Sequence, residues 1–90
     1  MAEYLLELYV ARSDAAGAEK RGEQARRAAE QLAREGTPVR YLRSIFVPED
    51  ETCFYLYEAA SADAVREAAL RAQLACERVI EAIWQPKGDI

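Results

Sequence analysis

The sequence contains no histidine. General acid–base catalysis, imidazole ligation of metals and charge switching near neutral pH draw chiefly on that side chain, so each would need a substitute here. Cysteine is almost as scarce: Cys53 and Cys76 stand far apart, and no CxxC pair exists. Such spacing lacks the short-range donor sets from which zinc and nickel sites are generally built. With four glycines and three prolines, the chain has no GxGxxG, P-loop or nucleophile elbow. Nucleotide binding and serine-hydrolase chemistry therefore have no support. No apolar run approaches the ~20 residues of a membrane-spanning helix. The start "MAEYLLELYVARSD" lacks a basic leader and a small-residue cleavage site. The expectation is a cytoplasmic protein with reduced thiols and no membrane partner. Nor is positive charge concentrated. Twelve Lys and Arg are interleaved with sixteen Asp and Glu, for a net charge of −4; nucleic acid is not an expected partner.

What is present is a core. Half of the 90 residues are hydrophobic, enough for one globular domain and too few residues for two. We place that domain at residues 1–85, with 86–90 as a C-terminal tail. "EYLLELYV" reads as a strand with Leu6, Leu8 and Val10 on one face and Leu5, Glu7 and Tyr9 on the other. "RSDAAGAEKRGEQARRAAEQLAREG" reads as a helix, capped by Ser13 or Asp14 and stopped by Gly36 before Pro38. Its inward stripe of Ala18, Gly22, Ala25, Ala29 and Leu32 is nearly all small, so it can lie close to what it covers. "VRYLRSIFV" and "TCFYLYEA" alternate like paired strands joined by a "PEDE" turn. Placing Leu42, Phe46, Phe54 and Leu56 inward sends Tyr41, Arg43, Ile45, Cys53, Tyr55 and Tyr57 to the opposite face. "SADAVREAALRAQLACE" is a second helix capped by Ser61, with Val65, Ala69 and Ala72 inward, and "RVIEAIWQ" is a last strand.

The order β-α-β-β-α-β specifies an α+β ferredoxin-like plait: a four-stranded antiparallel sheet with two helices on one face. Its other face would then collect Leu5, Glu7, Tyr9, Tyr41, Arg43, Ile45, Tyr55, Tyr57, Ile80 and Trp84. A patch of that size is rarely left to water, and a second copy stacked sheet to sheet is the simplest cover, giving a dimeric α/β barrel. Glu7 stands out as a mid-strand carboxylate on an apolar and aromatic face. It is the candidate catalytic base, or else half of a structural ion pair with Arg43. Tyr9, Tyr41, Arg43, Tyr55, Tyr57 and Trp84 are the candidate ligand-binding residues, flat walls with polar tips. The expected function is a homodimer binding a small, partly apolar organic ligand without a cofactor. A cofactor-independent enzyme extends that reading, and a ligand-free homodimeric interaction module is its alternative. The acidic turn itself is ordinary surface chemistry, since Glu49, Asp50 and Glu51 lack the alternating ligands and central glycine of a calcium loop.

The stretch "GTPVRYLRSIFVPEDETCFYLYEAASADAVREAA" resembles a family of small domains of unknown function that includes a nickel-binding protein of dimeric ferredoxin-like α/β-barrel fold. The resemblance runs from Tyr4 to Glu81 and rests on Glu7, the hairpin with Cys53 and Tyr57, and "SADAVREAALRA" followed by Arg78-Val79. It implies the fold and the dimer. It also implies a second alternative, binding of nickel or another divalent transition metal, for which Cys53 and Glu7 would be the ligands. This chain departs from the family pattern, which commonly has histidines where Arg43 and Ala68 stand and Gly-Phe-Pro where Gln73-Leu74-Ala75 stands. Without histidine, an imidazole-based site of the family cannot be present.

Overall fold

The structure, a computed structural model, describes residues 1–83, so Trp84 and the 86–90 tail lie outside the described residues. Its elements are β1 (Ala2–Tyr9), α1 (Ala15–Arg34), β2 (Val39–Val47), β3 (Thr52–Ala59), α2 (Ala62–Arg71) and β4 (Arg78–Ala82). The strands form one antiparallel sheet in the order β2-β3-β1-β4. This is the ferredoxin-like plait that the element order specifies.

Local chemistry sets the boundaries. Asp14 caps α1, its Oδ1 accepting from the Gly17 amide at 3.0 Å. Gly36, at φ +103°, takes the left-handed turn that follows the helix end. Ser61 caps α2 by accepting from the Ala64 amide, with Asp63 in the first turn. The hairpin turn is a 3-10 turn over Pro48–Asp50, after which Glu51 adopts φ 49°. That unusual conformation is held from outside. The Glu51 carbonyl accepts from Val10 N at 3.0 Å and its carboxylate accepts from Arg12 N at 2.9 Å. The acidic turn is therefore a clip tying the β2–β3 hairpin to the exit of β1.

The core lies between the sheet and both helices. Leu6, Leu8 and Val10 enter it from β1, and Ala18, Gly22, Ala25, Ala28, Ala29 and Leu32 from α1. Ala64, Val65, Ala68 and Ala69 come from α2. The two strands of the β2–β3 hairpin depart from the expected facing. In β3, Cys53, Tyr55, Tyr57 and Ala59 are fully buried against the helices, while Phe54 and Leu56 point the other way, half-buried. In β2, Tyr41 packs against the same core, because a β-bulge between Tyr41 and Arg43 inserts Leu42 and changes the facing across it. Arg43 and Ile45 stay on the face without helices, as expected.

The physical reason is complementary size. A helix lined by alanine and glycine leaves room above the sheet that phenol rings fill and leucines would not. Tyr55 reaches far enough to donate to the Ala18 carbonyl at 3.2 Å. A Cβ on Gly22 would stand 3.1 Å from the Tyr41 hydroxyl oxygen. Tyr41 meets Tyr57 edge-on, with ring centroids 5.6 Å apart.

Candidate functional site

The predicted site residues divide between two sides of the sheet. Tyr41, Tyr55, Tyr57 and Cys53 form an interior cluster under α1, out of reach of anything on the helix-free face. Burial pushes the phenols of Tyr57 and Tyr55 far above their ordinary range. It also raises the Cys53 thiol, with the Tyr55 hydroxyl and Arg21 drawing it partly back. These are protonated, inert groups at neutral pH and not nucleophiles. Tyr57 carries an additional feature: its hydroxyl is buried and has no hydrogen-bond partner among the described residues.

The helix-free face carries the rest, and strand register orders it into rows across the sheet. At one end runs Arg40–Glu58–Glu3–Ala82. Next come Arg43–Leu56–Leu5–Ile80 and Ile45–Phe54–Glu7–Arg78. Val47–Thr52–Tyr9 closes the far end. The centre is thus an apolar floor of Leu5, Phe54 and Leu56, flanked by Ile45 and Ile80. Ile45 and Tyr9 are 50% and 56% exposed, high for large apolar side chains outside a loop.

Glu7 and Arg43 share this face, but they do not form the expected pair. Arg78 stands directly opposite Glu7 on β4 and its Nε donates to Glu7 Oε1 at 2.6 Å. Adjacent backbone strengthens the junction, the Glu77 amide donating to the Glu7 carbonyl at 3.0 Å. Arg40 lies 3.7 Å from Glu58. Arg43 has no carboxylate within ion-pair distance among the described residues. The partner of Glu7 was out of reach of sequence reasoning, because pairing Glu7 with Arg78 requires the β1–β4 register. Phe54 and Leu56 were missed as floor residues for the reason given by the size match under α1. Of the predicted ligand-binding set, Tyr9 and Arg43 lie on the same face as Glu7, Arg43 two strands away from it; Trp84 lies outside the described residues.

The expected metal pair also separates. Cys53 is fully buried on the helix side and Glu7 lies on the other face, so within one chain they cannot hold the same ion. No group of three or more His, Cys, Asp or Glu that could hold a metal occurs among the described residues. A cleft of about 470 Å³ is found between α2 and β4, against Leu70, Leu74, Cys76 and Val79. Arg78, the partner of Glu7, also lines it, whereas the floor residues Leu5, Phe54 and Leu56 do not. No helix among the described residues is long and apolar enough to cross a membrane.

A search of curated proteins returns no match. A crystal structure of SCO4226 from Streptomyces coelicolor A3(2) has a similar fold, with a TM-score of 0.73 at 20% identity, over 93% of this chain and 99% of that one. A sequence model of the family described as "Nickel responsive protein SCO4226-like" matches residues 9–82. That match takes in everything from the end of β1 to the end of β4, and the chain therefore belongs to the nickel-responsive SCO4226-like family.

Proposed function

We propose that two copies of this chain stack helix-free face to helix-free face and that the space between them binds a small, partly apolar organic molecule. The supporting observation is the arrangement of that face: an apolar floor of Leu5, Phe54 and Leu56 at the centre, bordered by Glu7 on β1, by the charged row Arg40–Glu58–Glu3 at one end and by Arg43 and Arg78 on the edge strands. A flat floor becomes a pocket only when a second surface closes it, and a two-fold copy supplies one with the same chemistry. Glu7, engaged by Arg78, serves as a fixed polar group beside the floor. A general base in this position would first have to leave its ion pair, so binding is the primary role and turnover is not required by it. The two free thiols agree with a cytoplasmic setting.

Native mass spectrometry of the protein from cell extract tests this reading. The expected species is a dimer carrying an organic mass, and Leu56→Asp should give a folded monomer without the adduct. A wild-type protein that stays monomeric at tens of micromolar would overturn it.

Membership of a nickel-responsive family supports a second reading, nickel at the same face. The side chains present do not fit it. There is no imidazole, the Cys53 thiol is buried away from Glu7, and its raised pKa opposes the thiolate that a metal needs. Added nickel is expected to leave the native mass spectrum unchanged, in wild type and Cys53→Ala alike. One stoichiometric, Cys53-dependent ion per chain would reverse that order of preference.

A further inference from the structure

The charges on the helix-free face do not cancel locally. Glu7 is neutralised by Arg78 at 2.6 Å, and Glu58 has Arg40 at 3.7 Å. Glu3 stands directly beside Glu58 in the register, two strands from β2, which places the remaining negative charge at one end of the face. Arg43 is different. It faces Leu56 across the β2–β3 pair, in a row otherwise made of Leu56, Leu5 and Ile80, and it has no carboxylate partner among the described residues. Among the described residues, each chain therefore sets one guanidinium without a carboxylate partner at the margin of an apolar floor.

In the single chain that guanidinium is exposed on the edge strand β2, and a second copy laid over the face would take water from it. An unpaired cation in a desolvated setting is strongly disfavoured unless an anion joins it. A guanidinium is also the side chain best shaped for a planar carboxylate, which it engages through two parallel N–H donors. We infer that Arg43 is the anion-binding group of this face and that its ligand is an organic monoanion, a carboxylate with an apolar body resting on Leu5, Phe54 and Leu56. This inference rests on the stacked-face reading above and adds the ligand's charge and the residue that selects it.

The test titrates the full-length protein with octanoate, octan-1-ol and octylammonium by calorimetry, with the oligomeric state followed by sedimentation. Octanoate should bind roughly tenfold or more tightly than the neutral alcohol, the size expected of one charge-assisted contact, and the cation should bind most weakly. Arg43→Gln should erase the preference and leave the dimer in place, and Arg43→Lys should restore part of it. Equal binding of octanoate and octanol would overturn the assignment of Arg43 while leaving the stacked-face reading standing. A dimer that dissociates on Arg43→Gln would show that the guanidinium meets a carboxylate of the second copy instead. Failure of all three probes to bind would count against both readings.

Discussion

Two neighbouring tyrosines on β3 make opposite predictions although both are fully buried. The Tyr55 hydroxyl donates to a helix carbonyl, so Tyr55→Phe removes a buried hydrogen bond and should cost about 1 kcal/mol. The Tyr57 hydroxyl has no partner among the described residues. Leaving such a group unsatisfied costs about 1–3 kcal/mol, so Tyr57→Phe should be neutral or stabilising. Urea denaturation of both variants separates the cases, and equal losses would mean that an ordered water or another group satisfies Tyr57. At the same scale Arg78 belongs with Glu7. Arg78→Gln should free the Glu7 carboxylate and, because the Arg78 side chain is 63% exposed, should change stability by less than about 1 kcal/mol.

At the scale of elements, α1 and the β2–β3 hairpin are matched by volume. Gly22 is one point of close approach between them. Gly22→Leu raises helix propensity by just under 1 kcal/mol but forces a side chain into the Tyr41 and Tyr55 rings, where overpacking costs about 1–3 kcal/mol. The variant should therefore melt lower than wild type; a higher melting temperature would show that α1 rides freely over the phenols. This match also explains what was legible beforehand. Element order, both helix caps, the glycine stop and the small-residue stripe follow from local rules that need no partner. Which face of β3 points inward does not, since Phe54 and Leu56 are as apolar as any core residue. A signal was nonetheless available: Thr52, Phe54, Leu56 and Glu58 include a carboxylate, whereas Cys53, Tyr55, Tyr57 and Ala59 carry no charge. The small stripe of α1 likewise calls for large neighbours. The Leu42 bulge and the Glu7–Arg78 pair had no such sign, because each depends on a register that only the assembled sheet fixes.

For the molecule as a whole, the absence of histidine and the burial of weak acids shape the response to pH. Burial raises the pKa of Cys53, Cys76, Tyr41, Tyr55 and Tyr57. Each group holds its proton more tightly in the folded chain than in the unfolded one. Their stabilising effect is thus fully present below the unfolded values and declines as pH rises through the interval up to the folded values. Stability should begin to fall near the ordinary thiol range, about pH 8.5, and fall further past about pH 10, where free phenols ionise. Urea midpoints measured against pH check this, and a midpoint that held constant beyond pH ~10.5 would contradict the burial of the phenols. Tyr57→Phe should make the alkaline decline shallower.

The Leu42 bulge gives the chain something like a reading frame. Removing that one residue would leave β2 with a choice between turning Tyr41 out of its slot under Gly22 and driving Arg43 into the helix side. A single-residue indel in this strand is therefore equivalent to substituting every side chain on one side of it. Relatives with and without the extra residue could carry the same letters in the same alignment columns while presenting them to different worlds, solvent in one and core in the other. Descent through this strand should accordingly proceed by substitution and almost never by insertion or deletion, and a lineage that crossed the gap would have to rebuild both faces of the strand from the residues newly placed there.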